Sequence, residues 1–278
     1  MIKKFEDHLI HDGKSHNTID SYIRHIQGYL KWFSDSFGED PKKLYRQNVL
    51  EYKSYLQNIK QDSAKTINAK MSALIKFNEF LQEQEVQEEL VISKKDMIRV
   101  QQQVASPSEV VKKDVEAFRQ KVLEEHGSRN YAIVTILAYA GLRISEVLNL
   151  KLNDINFTSR ELIVRSGKGD KQRIVYINSK IIEAVKEYLK ERKESNLDYL
   201  FISNKGNIID RTVINKMFNK YSDIMTPHTL RHFYCTNALE SGYSVHEVAN
   251  QAGHSNINTT LIYTNPTKEK IKQKADLL

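Results

Sequence analysis

The segment Thr226-Pro227-His228-Thr229-Leu230-Arg231-His232 sets an imidazole and a guanidinium three residues apart at a helix start. Threonine is a good N-cap, and proline at the first helical position has no amide hydrogen to lose. A helix start gathers unpaired backbone N–H groups and attracts anions. His228 and Arg231 on one face near that positive end suit a phosphate, although the same pair serves equally well as solvent-facing groups. Arg143 follows Gly141, which ends a strongly apolar segment, and Glu146 lies three residues on. A guanidinium beside so apolar a stretch needs a partner, and Glu146 can reach back to orient it; a plain helix ion pair is the simpler reading. Lys168 stands between Gly167 and Gly169, where the backbone is free to approach a ligand closely, with Lys171 as its local competitor.

His228 and His232 also have the spacing at which a helix can offer two ligands to a metal. Thr229, however, follows His228 where zinc proteases carry glutamate, and the only cysteine, Cys235, provides no zinc cluster. No metal is expected. A lone cysteine also excludes an internal disulfide and suits a reducing cytoplasm, where Cys235 reads as a small buried residue.

Hydrophobic periodicity supplies the elements that must hold these groups. Helical spacing runs through 17–33 behind a cap at Ser15 or Asn17, again from Asn48, and again after Ser63. Residues 1–90 therefore read as a helical domain. The periodicity fades over 91–107, which reads as an extended linker. A second domain opens with a capping signal at Ser108, and a buried helix over 128–140 stops at Gly141. Glu161-Leu162-Ile163-Val164-Arg165 and Arg173-Ile174-Val175-Tyr176-Ile177 are β-rich runs joined by the loop bearing Lys168, a hairpin in outline. Helices are predicted at about 179–193, 210–222, 227–240, 244–251 and 256–263, before a polar tail, 267–278. The fold class is mainly α with a small β-sheet.

A net charge of +7 over 278 residues favours an anionic partner without distinguishing DNA from RNA or a membrane surface. The longest strongly apolar stretch, 132–140, is far short of the ~20 residues that span a bilayer. Met1-Ile2-Lys3-Lys4 leads into Phe5-Glu6-Asp7 with no apolar signal-peptide core, and no membrane role is expected. Within the first domain Lys42, Lys43, Arg46, Lys53, Lys60, Lys65, Lys70 and Lys76 meet only Glu51 and Asp62. Interleaved with Asn68, Ser72 and Asn78, this stretch suits either a solvated helix face or a surface along phosphates and base edges.

Five segments in order carry more than any one alone. Ala140-Gly141-Leu142-Arg143-Ile144-Ser145-Glu146, Gly167-Lys168-Gly169, His228-Thr229-Leu230-Arg231-His232, Ala252-Gly253-His254-Ser255 and Thr259-Thr260-Leu261-Ile262-Tyr263-Thr264 together resemble the tyrosine recombinase family. That family includes phage integrases and Xer-type recombinases. The resemblance covers about residues 108–265 and, more loosely, the helical N-terminal part.

The resemblance implies a SAM-like, core-binding helical domain followed by a mixed α+β catalytic domain, 108–266. It implies that Tyr263 is the nucleophile, attacking a phosphodiester to leave a 3′-phosphotyrosine. Arg143 and Arg231 would grip the non-bridging oxygens, Lys168 would protonate the departing 5′ oxygen, and His228 and His254 would assist proton transfer and hold the phosphate. Glu146 would support the arrangement as a neighbouring acid. Because the phosphotyrosine stores the bond energy, rejoining through a Holliday junction needs no ATP, metal or cofactor. The implied partners are double-stranded DNA recombination sites clamped by both domains, with a homotetramer assembled on two sites. That arrangement makes Lys42, Lys43, Arg46, Lys65, Asn68, Lys70 and Lys76 candidate DNA contacts. It also makes the tail 267–278 a candidate assembly element passed to a neighbouring protomer, with packing on its own domain as the alternative.

Departures from the family pattern remove no catalytic side chain: Ala140 stands where Thr is common, Ala252 where Leu often precedes Gly-His, and Asn265 where His is frequent. The early first helix leaves no room for an additional arm-site domain, which points to dimer resolution or a transposon's recombinase. Competing readings are a type IB topoisomerase-like nickase, a non-catalytic DNA-binding regulator on the same scaffold, and a zinc hydrolase.

Overall fold

Serine hydroxyls start two of the first unit's helices. In this computed structural model, which describes residues 1–100, 110–165, 172–254, 256–263 and 276, the Ser15 hydroxyl accepts from the Thr18 amide and that of Ser63 from the Thr66 amide. Ser15, rather than Asn17, is thus the cap of α2 (His16–Phe37), and Ser63 that of α4 (Ala64–Glu83). With α1 (Ile2–His11) and α3 (Arg46–Asn58) they form the unit Met1–Gln103. Its core takes Phe5 and Leu9 from α1, Ile26 and Tyr29 from α2, Tyr52 and Leu56 from α3, and Met71, Leu74 and Phe77 from α4. The Phe5–Phe77 and Tyr29–Tyr52 rings meet edge to face at 5.0 and 5.2 Å, the geometry that the ring quadrupoles favour.

The stretch expected to link the domains begins inside this unit. Ile92 is buried in its core and Ile98 packs against it. Asn68 donates to the Ile98 carbonyl and accepts from its amide, both at 2.9 Å, and Lys53 donates to the Asp96 carbonyl at 2.6 Å. These bonds anchor an irregular segment that has no periodicity of its own.

The second unit, Val104–Leu278, is built around α5 (Lys112–Ala140). Gly127, at φ 75 and ψ −176, breaks α5 into two helices, the second being the buried helix predicted over 128–140. Within the second half, Ala132 to Ala140 are nearly all buried, and α5 packs against α7 (Ser179–Glu191) and α9 (Pro227–Glu240). The first half starts at Lys112, where Asp114 accepts from the Val111 amide at 3.3 Å; Ser108 lies outside the described residues.

A three-stranded antiparallel sheet, β1 (Ile155–Asn156), β2 (Glu161–Arg165) and β3 (Gln172–Tyr176), is ordered β1-β2-β3, with Ile163 opposite Ile174. Leu162, Val164 and Val175 point into the core. Short α6 (Ile144–Leu148) follows α5, and α8 (Arg211–Tyr221), α10 (Val245–Ala252) and α11 (Asn258–Leu261) complete the unit. The fold is mainly helical with one small sheet, as the sequence predicts. No helix among the described residues is long and apolar enough to cross a membrane.

Candidate active site

The Thr226 hydroxyl accepts from the Thr229 amide at 3.0 Å and Pro227 takes the first helical position, so α9 begins as its sequence requires. One turn in, Arg231 is only 6% exposed. Its Nη1 donates to the Gly141 carbonyl at 2.6 Å, whereas Nη2 is buried without a hydrogen-bond partner among the described residues. Burial, and then the neighbouring Arg143, press its pKa down.

Gly141 ends α5 in the left-handed region, at φ 64. A Cβ there would come within 2.1 Å of the Tyr234 ring, so glycine is required both by conformation and by space. Two residues on, Arg143 precedes α6. Its amide donates to Glu146 Oε2 at 2.8 Å, its Nη1 to Glu146 Oε1 at 3.0 Å, and its Nη2 to the Gly253 carbonyl at 3.1 Å. The guanidinium remains about half exposed, with N–H groups to spare among the described residues.

Glu146 is shared. Arg173, on β3, grips it with both terminal nitrogens at 2.9 Å. Burial alone pushes this carboxyl up, but the hydrogen bonds from Arg173 and the Arg143 amide more than offset that, and it lies below the usual range. The sequence reading missed Arg173, although a signal was present. Alternation along β3 puts Arg173 on the face of buried Val175 and Ile177, where a guanidinium requires an acid.

Gly253 closes α10 at φ 70 and leads directly to His254, whose Nδ1 lies 2.7 Å from Thr260 Oγ1. Burial, then the guanidinium groups of Arg231, Arg143 and Arg173, push His254 down to about 4. Tyr263 stacks near His254 at 6.5 Å between ring centroids and meets His232 edge to face at 5.0 Å. It packs against a small cluster containing Tyr234, Cys235 and Val248, and burial raises its phenol pKa well above the ordinary value. His228 and His232 face each other, Nε2 to Nε2, at 2.7 Å. Burial, His228 and Arg231 hold His232 at about 4. His232, seen in the sequence only as half of a metal pair, is thus a neighbour of Tyr263.

Arg143, Arg231, His228, His254, Tyr263 and Glu146 are therefore brought together by α5, α6, α9, α10 and the turn after α11. Lys168 and the tail segment 267–275 lie outside the described residues. The candidate DNA contacts of the first unit divide. Lys42, Lys43 and Lys65 are exposed. Arg46 pairs with Asp96 at 2.8 Å, Lys70 with Asp62 at 2.6 Å and Lys76 with Asp12 at 2.9 Å, while Asn68 holds Ile98.

A partly desolvated cluster of guanidinium and imidazole groups around a phenol suits an in-line attack on a phosphodiester. A sequence model of the Phage integrase family matches residues 109–270, and one of the N-terminal SAM-like domain of phage integrases matches residues 1–88. The chain is 54% identical over 282 residues to "TnP I resolvase" of Bacillus thuringiensis, covering 100% of this chain and 99% of that protein. It is 31% identical to "Tyrosine recombinase XerA" of Thermococcus onnurineus, covering 100% and 96%. In fold it resembles the XerH site-specific recombinase bound to a palindromic difH substrate, with a TM-score of 0.76 at 23% identity over 92% of this chain and 78% of that one. It also resembles the Tn1549 transposon integrase in complex with transposon right end DNA, with a TM-score of 0.73 at 22% identity over 100% and 98%. Family match, full-length relatives and site geometry converge: the chain belongs to the phage integrase family, the tyrosine recombinases.

Proposed function

We propose that this tyrosine-type site-specific recombinase acts as a resolvase, cutting and rejoining double-stranded DNA through Tyr263. The observation that carries the reading is Arg231, a buried cation beside the phenol whose Nη2 has no partner among the described residues. A buried guanidinium nitrogen without an acceptor is costly, and a phosphate oxygen is the acceptor that matches it. Arg143, with N–H groups to spare, takes a second non-bridging oxygen, and both forks gain as charge accumulates in the transition state.

In this reading Tyr263 Oη bonds to phosphorus, the bond to the 5′ oxygen breaks, and the phenol proton leaves. The neutral imidazoles of the cluster are placed to take up or pass on that proton, and Lys168 delivers one to the departing 5′ oxygen. A 5′-hydroxyl from a partner strand then attacks the 3′-phosphotyrosine and displaces Tyr263, yielding a Holliday junction and afterwards recombinants. The resolvase assignment rests on the Bacillus thuringiensis relative. A homotetramer on two sites, and a cytoplasmic location, belong to the same proposal.

Nicked suicide substrates test it. Wild-type protein should form a covalent adduct that Tyr263→Phe cannot form, with site binding retained; an adduct persisting in the variant would move the nucleophile elsewhere. A plasmid with two directly repeated sites, drawn from DNA flanking the gene, should yield two circles. Relaxation without recombinant products would point instead to a topoisomerase-like enzyme. Lys168→Ala should be rescued by a 5′-bridging sulfur, since a thiolate leaves without a general acid; rescue of Lys171→Ala instead would assign that role to Lys171.

A further inference from the structure

Arg173 commits four of the five guanidinium N–H groups to other residues. Nη1 and Nη2 fork onto Glu146, Nε donates to the Gln251 carbonyl at 3.1 Å, and Nη2 also donates to the Ala252 carbonyl at 3.3 Å. With so few donors left, this side chain is poorly suited to binding a phosphate itself. Its partners are instead the supports of residues that do face the phosphate in the reading above. Glu146 holds Arg143 by both backbone and side chain. The carbonyls of Gln251 and Ala252 end α10 immediately before Gly253 and His254. The Gly253 carbonyl is in turn held by Arg143 Nη2.

The backbone has been fitted around this guanidinium. Gly253 stands so close that a Cβ would fall 2.5 Å from Arg173 Cζ. The neighbouring β3 amide of Tyr176 donates to the Gln251 side chain at 2.9 Å, which adds a second tie between β3 and the end of α10.

We propose that Arg173 is a positioning residue for strand cleavage: through its fork on Glu146 and its bonds to the end of α10, it fixes Arg143 and His254 relative to one another. Arginine is needed because two parallel bonds fix orientation as well as distance, which the point charge of lysine cannot do. The inference rests on the roles proposed for Arg143 and His254.

The full chain tests it with site DNA and a nicked suicide substrate. Arg173→Gln should form the covalent adduct about 10- to 100-fold more slowly, the scale expected for an ångström of misplacement. Site binding should stay at wild-type strength, the pattern of an interaction expressed in the transition state. Arg173→Ala should recover speed on addition of guanidinium ion but not of an equal concentration of sodium. Arg173→Lys should fall between wild type and Arg173→Gln, and if the glutamine variant fails to fold, this charge-retaining variant decides. Wild-type cleavage rates in Arg173→Lys and Arg173→Gln would overturn the proposal. Loss of site binding in step with cleavage would also overturn it, making Arg173 a DNA contact. Failure of the wild-type protein to form any adduct would instead reject the reading on which the inference rests.

Discussion

Arg231 reaches from α9 to the carbonyl of Gly141, 90 positions earlier in the chain, and holds it at 2.6 Å while Nη2 stays unpartnered among the described residues. The bond fixes a charge in the site using the carbonyl that follows the buried second half of α5. Such a preorganised donor costs no rearrangement when charge develops.

Arg231→Ala or Arg143→Ala should therefore lower cleavage by about 10²–10³, as loss of a single oxyanion donor does elsewhere. Arg231→Ala should also loosen the Gly141 turn, so its Tm should fall more than that of Arg143→Ala, whose side chain is half exposed. Cleavage by the wild type should survive a strong chelator, because guanidinium groups supply the stabilising charge. Full inhibition restored by one added divalent metal would reject that account.

Gly141 and Gly38 provide a second, internally controlled test. Both end helices at positive φ, 64 and 76, but a Cβ on Gly38 meets nothing within 4 Å and one on Gly141 meets the Tyr234 ring. Gly38→Ala should cost about 1 kcal/mol, the conformational penalty alone. Gly141→Ala should add the ~1–3 kcal/mol of overpacking and disturb the carbonyl that Arg231 holds. Denaturant unfolding and adduct formation should both separate the two variants; equal behaviour would mean that the Tyr234 ring yields freely.

Much of this was legible in sequence for physical reasons. Ser15, Ser63 and Thr226 announce helix starts because a hydroxyl is the cheapest acceptor for a free amide. Gly141 announces a stop because few other residues tolerate its φ. The anchoring of residues 91–98 was not legible, since it depends on side-chain-to-backbone bonds such as Asn68 to Ile98, which leave no period in the chain. β1, two residues long, is too short to alternate. Arg173 was visible as a cation on a core-facing position, but its partner lies on another element, 27 residues away in sequence. Nothing local marks Tyr263 as more than a helical tyrosine; the role proposed for it rests on the order of the family's segments.

The histidines predict a pH dependence with a definite sign. His232 and His254 are held at about 4, below the ordinary 6.5. Between those values the unfolded chain binds more protons than the folded one, so stability rises with pH across that window. Their contribution is complete above about 6.5 and is lost as pH falls toward 4. Tm should drop on going from pH 7 to pH 5, and the drop should be smaller in His232→Gln and His254→Asn. A bound phosphate should act in the opposite direction by favouring the imidazolium forms, so site binding near pH 5 should take up protons, measurable as buffer-dependent heat. An unchanged slope in both variants would place the linkage elsewhere.

The basic face of the first unit should divide by function along the line of its ion pairs. Lys70 and Lys76 are mostly covered, at 21% and 19% exposure, and each is bonded to an aspartate of its own unit. Their replacement by Met should shift Tm more than it shifts affinity for DNA. Lys42, Lys43 and Lys65 are exposed and make no ion pair among the described residues. If they lie along phosphates, each replacement should weaken binding similarly on specific and nonspecific DNA and reduce the slope of log affinity against log salt by about one. Arg46, forked on Asp96 and also bonded to the Val91 carbonyl, should behave like the structural pair. A salt slope unchanged by replacing Lys42, Lys43 and Lys65 together, but lowered by replacing Lys70 and Lys76, would show that the aspartates surrender their partners to DNA, and would invert the assignment.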